Sequence, residues 1–175
     1  MDPEAPLAVD CGKVLTHALV ARIRSQFQLH WKGIHGAPHW ARVRRIGLEL
    51  AEETGAEPVV VELFAFLHDS RRRNDDYDPR HGLRAANFAA ELYEAGDLDH
   101  CGLDDGAMDR LMVACLDHSE GRMEGHPTVQ TCWDADRLDL GRVGIRPDPR
   151  RLCTAAARQA ARIERCWQAS RNRAS

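Results

Sequence analysis

The sequence predicts an all-α fold: one helical bundle in a single domain, with its core at about residues 14–168. Three observations predict it. Apolar residues recur at steps of three and four, the spacing that lines one face of a helix. The segments between these runs are short, polar and rich in Gly, Pro and Asp. With 175 residues, the chain is the length of one domain able to bury a sizeable core.

The elements follow in chain order. Residues 14–30 carry Leu15, Leu19, Ile23 and Phe27 at steps of four. Residues 38–54 open near Pro38 and carry Trp40, Val43, Gly47 and Leu50. Residues 58–69 start at Pro58, a favoured first-turn residue. Their run Val59 to Leu67 is apolar nearly all round, which fits a buried strand or a central helix equally well. Helical neighbours and the lack of a partner strand favour the helix. Residues 70–80 read as a polar loop, followed by a helix over about 80–95 with Leu83, Ala86, Ala90 and Tyr93 inward and Gly96 as its C-terminal cap. Asp104 or Asp105 caps the next helix, which turns Met108, Leu111, Met112 and Cys115 inward. A loop over 119–127 leads to a helix over 128–140 carrying Val129, Cys132, Trp133, Asp136 and Leu140. Asp148-Pro149 opens a last helix with Leu152, Ala156, Ala160, Ile163 and Trp167 on one face, and the tail after 170 reads as frayed. Trp31, Trp40, Trp133 and Trp167 read as core anchors.

Composition excludes several functions. No run of 18 apolar residues exists, so no membrane span is expected. The acidic, Pro-broken start from Met1 to Pro6 has the wrong chemistry for a secretory signal, so a cytoplasmic protein is expected. A net charge of −3 argues against generic nucleic-acid binding. The positive charge is nearly all Arg, with Lys13 and Lys32 the lysines, a bias that a GC-rich coding sequence explains most simply. The six cysteines (Cys11, Cys101, Cys115, Cys132, Cys153 and Cys166) form no CxxC pair. Cys115, Cys132 and Cys153 read as small core residues.

Polar residues interrupt four of the apolar stripes. His39 lies four before Val43, His68 four after Phe64, His118 three after Cys115, and Asp136 four after Cys132. Each therefore falls on an inward face. A single inward His is more often a hydrogen-bonded core residue than a ligand, and a single inward Asp pairs with an Arg such as Arg137. Together with Asp69, next to His68, they would need several independent buried pairs, whereas one divalent cation satisfies them all.

The ordered set His39, His68-Asp69 and Asp136 resembles the H…HD…D signature of the HD-domain superfamily. The run Phe64-Ala65-Phe66-Leu67 leads into the HD pair as in that family, and Ala135-Asp136-Arg137-Leu138 resembles the run carrying its last ligand, which makes Asp136 rather than Asp134 the match. The resemblance spans roughly residues 30–145. It implies an all-α bundle, a metal site between helices and, most often, a metal-dependent phosphohydrolase. His39, His68, Asp69 and Asp136 are then the ligands, with Asp69 also the catalytic carboxylate. His81 and His118 sit where some members carry further histidines and hold a second metal bridged by the Asp of the HD pair; one ion or two remain open here. Imidazole and carboxylate ligands suit Mn, Fe, Ni, Co, Zn or Mg.

Arg72, three after Asp69, departs from the Lys or acidic residue many members carry there. An Arg clamps phosphate but is no base, being always protonated. Arg71, Arg72 and Arg80 flank the expected pocket and are either a solvated charge run, together with Arg73, or ligands of a substrate phosphate. Asp75, Asp76 and Asp78 read first as loop solvation, and His17, His30, His35, His100 and His126 as surface or structural residues. The expected function is hydrolysis of a small phosphorylated metabolite or nucleotide, with no membrane or nucleic-acid partner and a homodimer as one admissible assembly. A diiron oxygenase and a non-enzymatic binding module are the alternatives.

Overall fold

The computed structural model describes residues 14–172, and Cys11 and Lys13 lie outside them. The described residues form seven α-helices and three 3-10 turns, with no strand among them. The helices are α1 His17–Gln26, α2 Ala37–Thr54, α3 Pro58–Leu67, α4 His81–Glu94, α5 Asp105–Asp117, α6 Pro127–Leu138 and α7 Ala160–Arg171. None is long and apolar enough to cross a membrane.

The apolar run after Pro58 is a helix, and its composition explains its place. Val60, Val61, Leu63, Phe64, Ala65 and Leu67 are all buried, which leaves almost no solvent face. Such a helix belongs in the middle. α3 packs against α2, α5 and α6, and also touches α1 and α4. Proline opens α3 and α6 at the first helical position and stands second in α2. Asp104 caps α5 by accepting a hydrogen bond from the Ala107 N–H at 2.7 Å, and Gly96 follows α4 at φ +80°.

Two glycines set the helix spacing. A Cβ on Gly47 of α2 would stand 2.5 Å from Val61 Cγ1 of α3 and 3.4 Å from Ala135 Cβ of α6. A Cβ on Gly82 of α4 would stand 2.6 and 2.7 Å from the carbonyl oxygens of Leu116 and Cys115 in α5. The first glycine draws α2 onto α3 and α6; the second draws the start of α4 onto the end of α5.

Several expectations are corrected. The first helix stops at Gln26, where Phe27 turns extended. Leu83 faces solvent at 47 % exposure, because α4 meets α5 through its small residues Gly82, Ala85, Ala86 and Ala89, with Phe88 and Leu92 completing the stripe. Ala90 and Tyr93 are half-buried. The last helix begins at Ala160 rather than at 149, and Ala160 itself is exposed. Residues 149–151 are a 3-10 turn, after which the Asp134 carboxylate accepts from the Cys153 and Thr154 N–H groups and the Thr154 hydroxyl, diverting the backbone from a helix. Asp78 is buried, not solvated, and accepts from Arg73 N–H and Arg84 Nη2. Trp40 and Trp133 are fully buried, whereas Trp31 and Trp167 are half-buried. Cys115 and Cys132 are buried, and Cys153 is half-buried.

Candidate metal centre

The inward histidines and aspartates meet at one end of the bundle. His39 is in the first turn of α2 and His81 opens α4; His68, His118 and Asp136 stand at the C-terminal ends of α3, α5 and α6. Three helix C-termini bring partial negative charge to one place, a setting that favours a cation.

Asp69 sits at the middle and divides the cluster. On one side, His39 Nε2 and His68 Nε2 lie 3.0 Å apart, and each is 3.7 Å from Asp69 Oδ2. Asp136 Oδ1 completes this side at 3.4 Å from His39 Nε2 and 3.7 Å from His68 Nε2. On the other side, His81 Nε2 and His118 Nε2 lie 2.8 Å apart, at 3.3 and 3.5 Å from Asp69 Oδ1. The two oxygens of one carboxylate thus face two imidazole pairs, and His68, His118 and Asp136 also lie within 4.8 Å of one another across the divide.

Each imidazole is locked by its other nitrogen. The Nδ1–H groups of His68, His81 and His118 donate to the carbonyls of Phe64, Asp78 and Cys115, and that of His39 donates to Asp139 Oδ2 at 2.7 Å. Those partners can only accept, so the protons are on Nδ1 and the Nε2 lone pairs point inward. Paired lone pairs at 3.0 and 2.8 Å repel unless a cation or a proton lies between them. Asp136 Oδ1 is buried with no hydrogen-bond partner among the described residues. A cation supplies what Asp136 Oδ1 and the opposed lone pairs of His39 and His68 lack, and the buried His/Asp clusters could therefore bind a metal ion.

The electrostatics agree. Burial opposes the charge of Asp69, but the imidazoles of His68, His118 and His35 outweigh it and hold the carboxyl well below the usual carboxylate range. Asp136 is likewise held low against its burial, by His39, His68 and Arg142. Burial lowers His68 to about 3 and His81 to about 4. His118 moves the other way: burial disfavours its charge, but Asp69 and Asp136 prevail and raise it. Ionised Asp69 and Asp136 with neutral His68 and His81 are the ligating forms, whereas His118 must give up a proton that Asp69 and Asp136 favour before it can ligate.

Comparison with protein-family models, curated proteins and solved structures returned no match. The site is therefore read from its own chemistry.

The structure brings together His39, His68, Asp69, His81, His118 and Asp136, and it sorts the arginines. Arg72 is buried, with Nη1 at 3.2 Å from His81 Nε2 and 3.5 Å from Asp69 Oδ1, while Nε and Nη2 donate to the carbonyls of Asn74 and Asp76. Arg71 turns away, to Gln26 and the ring of Phe88. Arg80 is exposed at the start of α4, and Arg137 leaves Asp136 for the carbonyls of Arg122 and Arg151.

Three residues were missed. His35 is buried, not on the surface: its Nδ1 lies 2.8 Å from Asp69 Oδ2 and its Nε2 3.3 Å from the Asp75 carbonyl. Its spacing of four before His39 was the available signal, masked by the turn at Gly36. Asp139, three after Asp136, orients His39 and is gripped through both oxygens by Arg42 at 2.7 and 3.0 Å. Arg142 donates from Nε to the Ile34 carbonyl and reaches 3.6 Å from Asp136 Oδ1.

Asp139 gives a direct prediction. Asp139→Ala frees the ring of His39 and leaves Arg42 unpaired. Metal affinity should fall about 10–100-fold, the usual cost of losing a partner that orients a ligating imidazole. Competition with a metal-sensitive dye measures it.

Proposed function

We propose that the protein is a metal-dependent phosphohydrolase of the HD type, acting on a small phosphorylated substrate. The single observation that carries this reading is the division of Asp69: one oxygen facing His39, His68 and Asp136, the other facing His81 and His118. His39, His68, Asp69 and Asp136 would hold one divalent cation, and Asp69, His81 and His118 a second. Bound there, the cations supply Lewis acidity toward a phosphoryl oxygen and lower the pKa of water near neutral pH.

The residues of the chain do the rest. Asp69 fixes the spacing of the two halves, and His35 steadies it. Arg72, with Nη1 beside Asp69 and His81, offers charge-assisted hydrogen bonds to a phosphoryl group. It cannot act as a base. The centre is nearly closed, with the Asp136 side chain 12 % exposed and those of His39 and His68 at 0 %, so bulk water is largely kept out.

The test is phosphate release from a panel of small phosphate esters, with the protein loaded in turn with Mn, Fe, Co, Ni, Zn or Mg. Turnover with one or more metals supports the proposal; bound metal without turnover on any ester counts against it. A second reading, a diiron oxygenase, is favoured by the same His81 and His118 pair, and oxygen uptake by the iron-loaded protein distinguishes it. A non-enzymatic binding module is the weakest reading, since every ligand position is occupied by a competent donor.

The same geometry predicts that His118→Ala removes about one equivalent of metal per chain, because only the second donor set loses a ligand it cannot replace. Elemental analysis checks it.

A further inference from the structure

Arg142 has no part in the ligand set, yet its side chain is 8 % exposed and reaches the centre. It sits in the 3-10 turn Leu140–Val143 that follows α6. Two backbone carbonyls fix its guanidinium: Nε donates to Ile34 O at 3.0 Å and Nη1 to Asp139 O at 3.1 Å. Nη2 makes no hydrogen bond among the described residues; it stands 3.6 Å from Asp136 Oδ1, an atom that a cation would take. A buried charge with one arm held and the other free has donors left for a ligand.

Arg142 also lines an open cavity of about 460 Å³, together with Ile34, Val143, Gly144, Ser170 and Arg171. Nη2 keeps access to solvent, whereas Asp136 Oδ1 is sealed. Arg142 thus touches both the cavity and the centre.

We propose that Arg142 is an anion-binding residue of this centre: its Nη2 takes an oxygen of a phosphoryl group that approaches from the cavity. With Arg72 beside His81 and Arg142 beside Asp136, each donor set has its own guanidinium. The ligands carry two carboxylates, Asp69 and Asp136, so two divalent cations and two arginines leave the centre positive. A doubly charged phosphoryl group is the matching ligand class. This inference rests on the metal reading above.

The test titrates metal-loaded protein with inorganic phosphate by calorimetry at fixed salt, with metal content measured on the same samples. Arg142→Gln should weaken phosphate binding about 10–100-fold at unchanged metal content, the range for losing a hydrogen bond to a charged group. Wild-type affinity in that variant overturns the proposal. So does phosphate binding that survives removal of metal by a chelator, because the cavity would then act alone. If the glutamine variant loses its metal, Arg142→Lys decides, since lysine keeps the charge without the planar fork. Weaker phosphate binding at full metal content supports the assignment; unchanged affinity overturns it. A wild type that holds no metal overturns the metal reading itself, whereas full metal with phosphate binding indifferent to Arg142 overturns only this inference.

Discussion

If the proposed function holds, Asp69→Ala is expected to empty both halves of the candidate centre at once and to abolish phosphate release. Each donor set loses one of its carboxylate oxygens, and His35 and Arg72 lose a partner. The fall in metal affinity should exceed the roughly 10–100-fold that follows loss of a supporting partner such as Asp139. The His81/His118 pair then stands with lone pairs opposed and no carboxylate beside it, and the His39/His68 pair keeps only Asp136. Elemental analysis and phosphate release on one preparation check both effects, with circular dichroism to show that the helices persist. Retained metal would remove Asp69 from the centre.

Gly82→Ala should have the second-largest effect, through packing alone. The added Cβ would meet the Leu116 and Cys115 carbonyl oxygens at 2.6 and 2.7 Å, and backbone in the middle of a bundle cannot step aside as a flexible side chain can. The start of α4 must lift from the end of α5, at a cost of about 1–3 kcal/mol for overpacking. His81 opens α4 and His118 ends α5, so the same movement parts the pair that lies 2.8 Å apart. Thermal melts should show the lost stability. Metal analysis should show the His81/His118 side emptied and the His39/His68 side retained.

Much of the candidate centre was legible because its buried His and Asp side chains break apolar stripes. His39, His68, His118 and Asp136 each occupy a position where periodicity demands an inward side chain, and a polar residue there needs a partner. The central helix was harder, since Val59 to Leu67 has no polar face to reveal a period, and only its helical neighbours pointed to the right choice. Leu83 misled because bulk does not decide which face of a helix packs; the close α4–α5 contact selects glycine and alanine. The start of the last helix was misplaced because the Asp134 carboxylate, nineteen and twenty residues away in sequence, holds the Cys153 and Thr154 amides.

The residues that support the candidate ligands were far less legible. Asp139 meets His39 and Arg42 across about a hundred residues, and Arg142 is fixed beside Asp136 by the distant Ile34 carbonyl. His35 lies outside the periodic part of α2, so no stripe shows that it is buried. Arg71 and Arg72 are neighbours of like composition, and the turn after α3 sends one to Phe88 and the other to Asp69. Spacing identifies groups that face a core; it does not identify the partners that aim them.

The most direct measurement is elemental analysis, per chain, of protein purified without chelator or an affinity metal and then equilibrated with Mn, Fe, Co, Ni or Zn. About two tightly held equivalents of a transition metal are expected, as two His/Asp donor sets sharing one carboxylate require. A single equivalent would contradict the role given to His81 and His118, and no retained metal would contradict the centre as a whole.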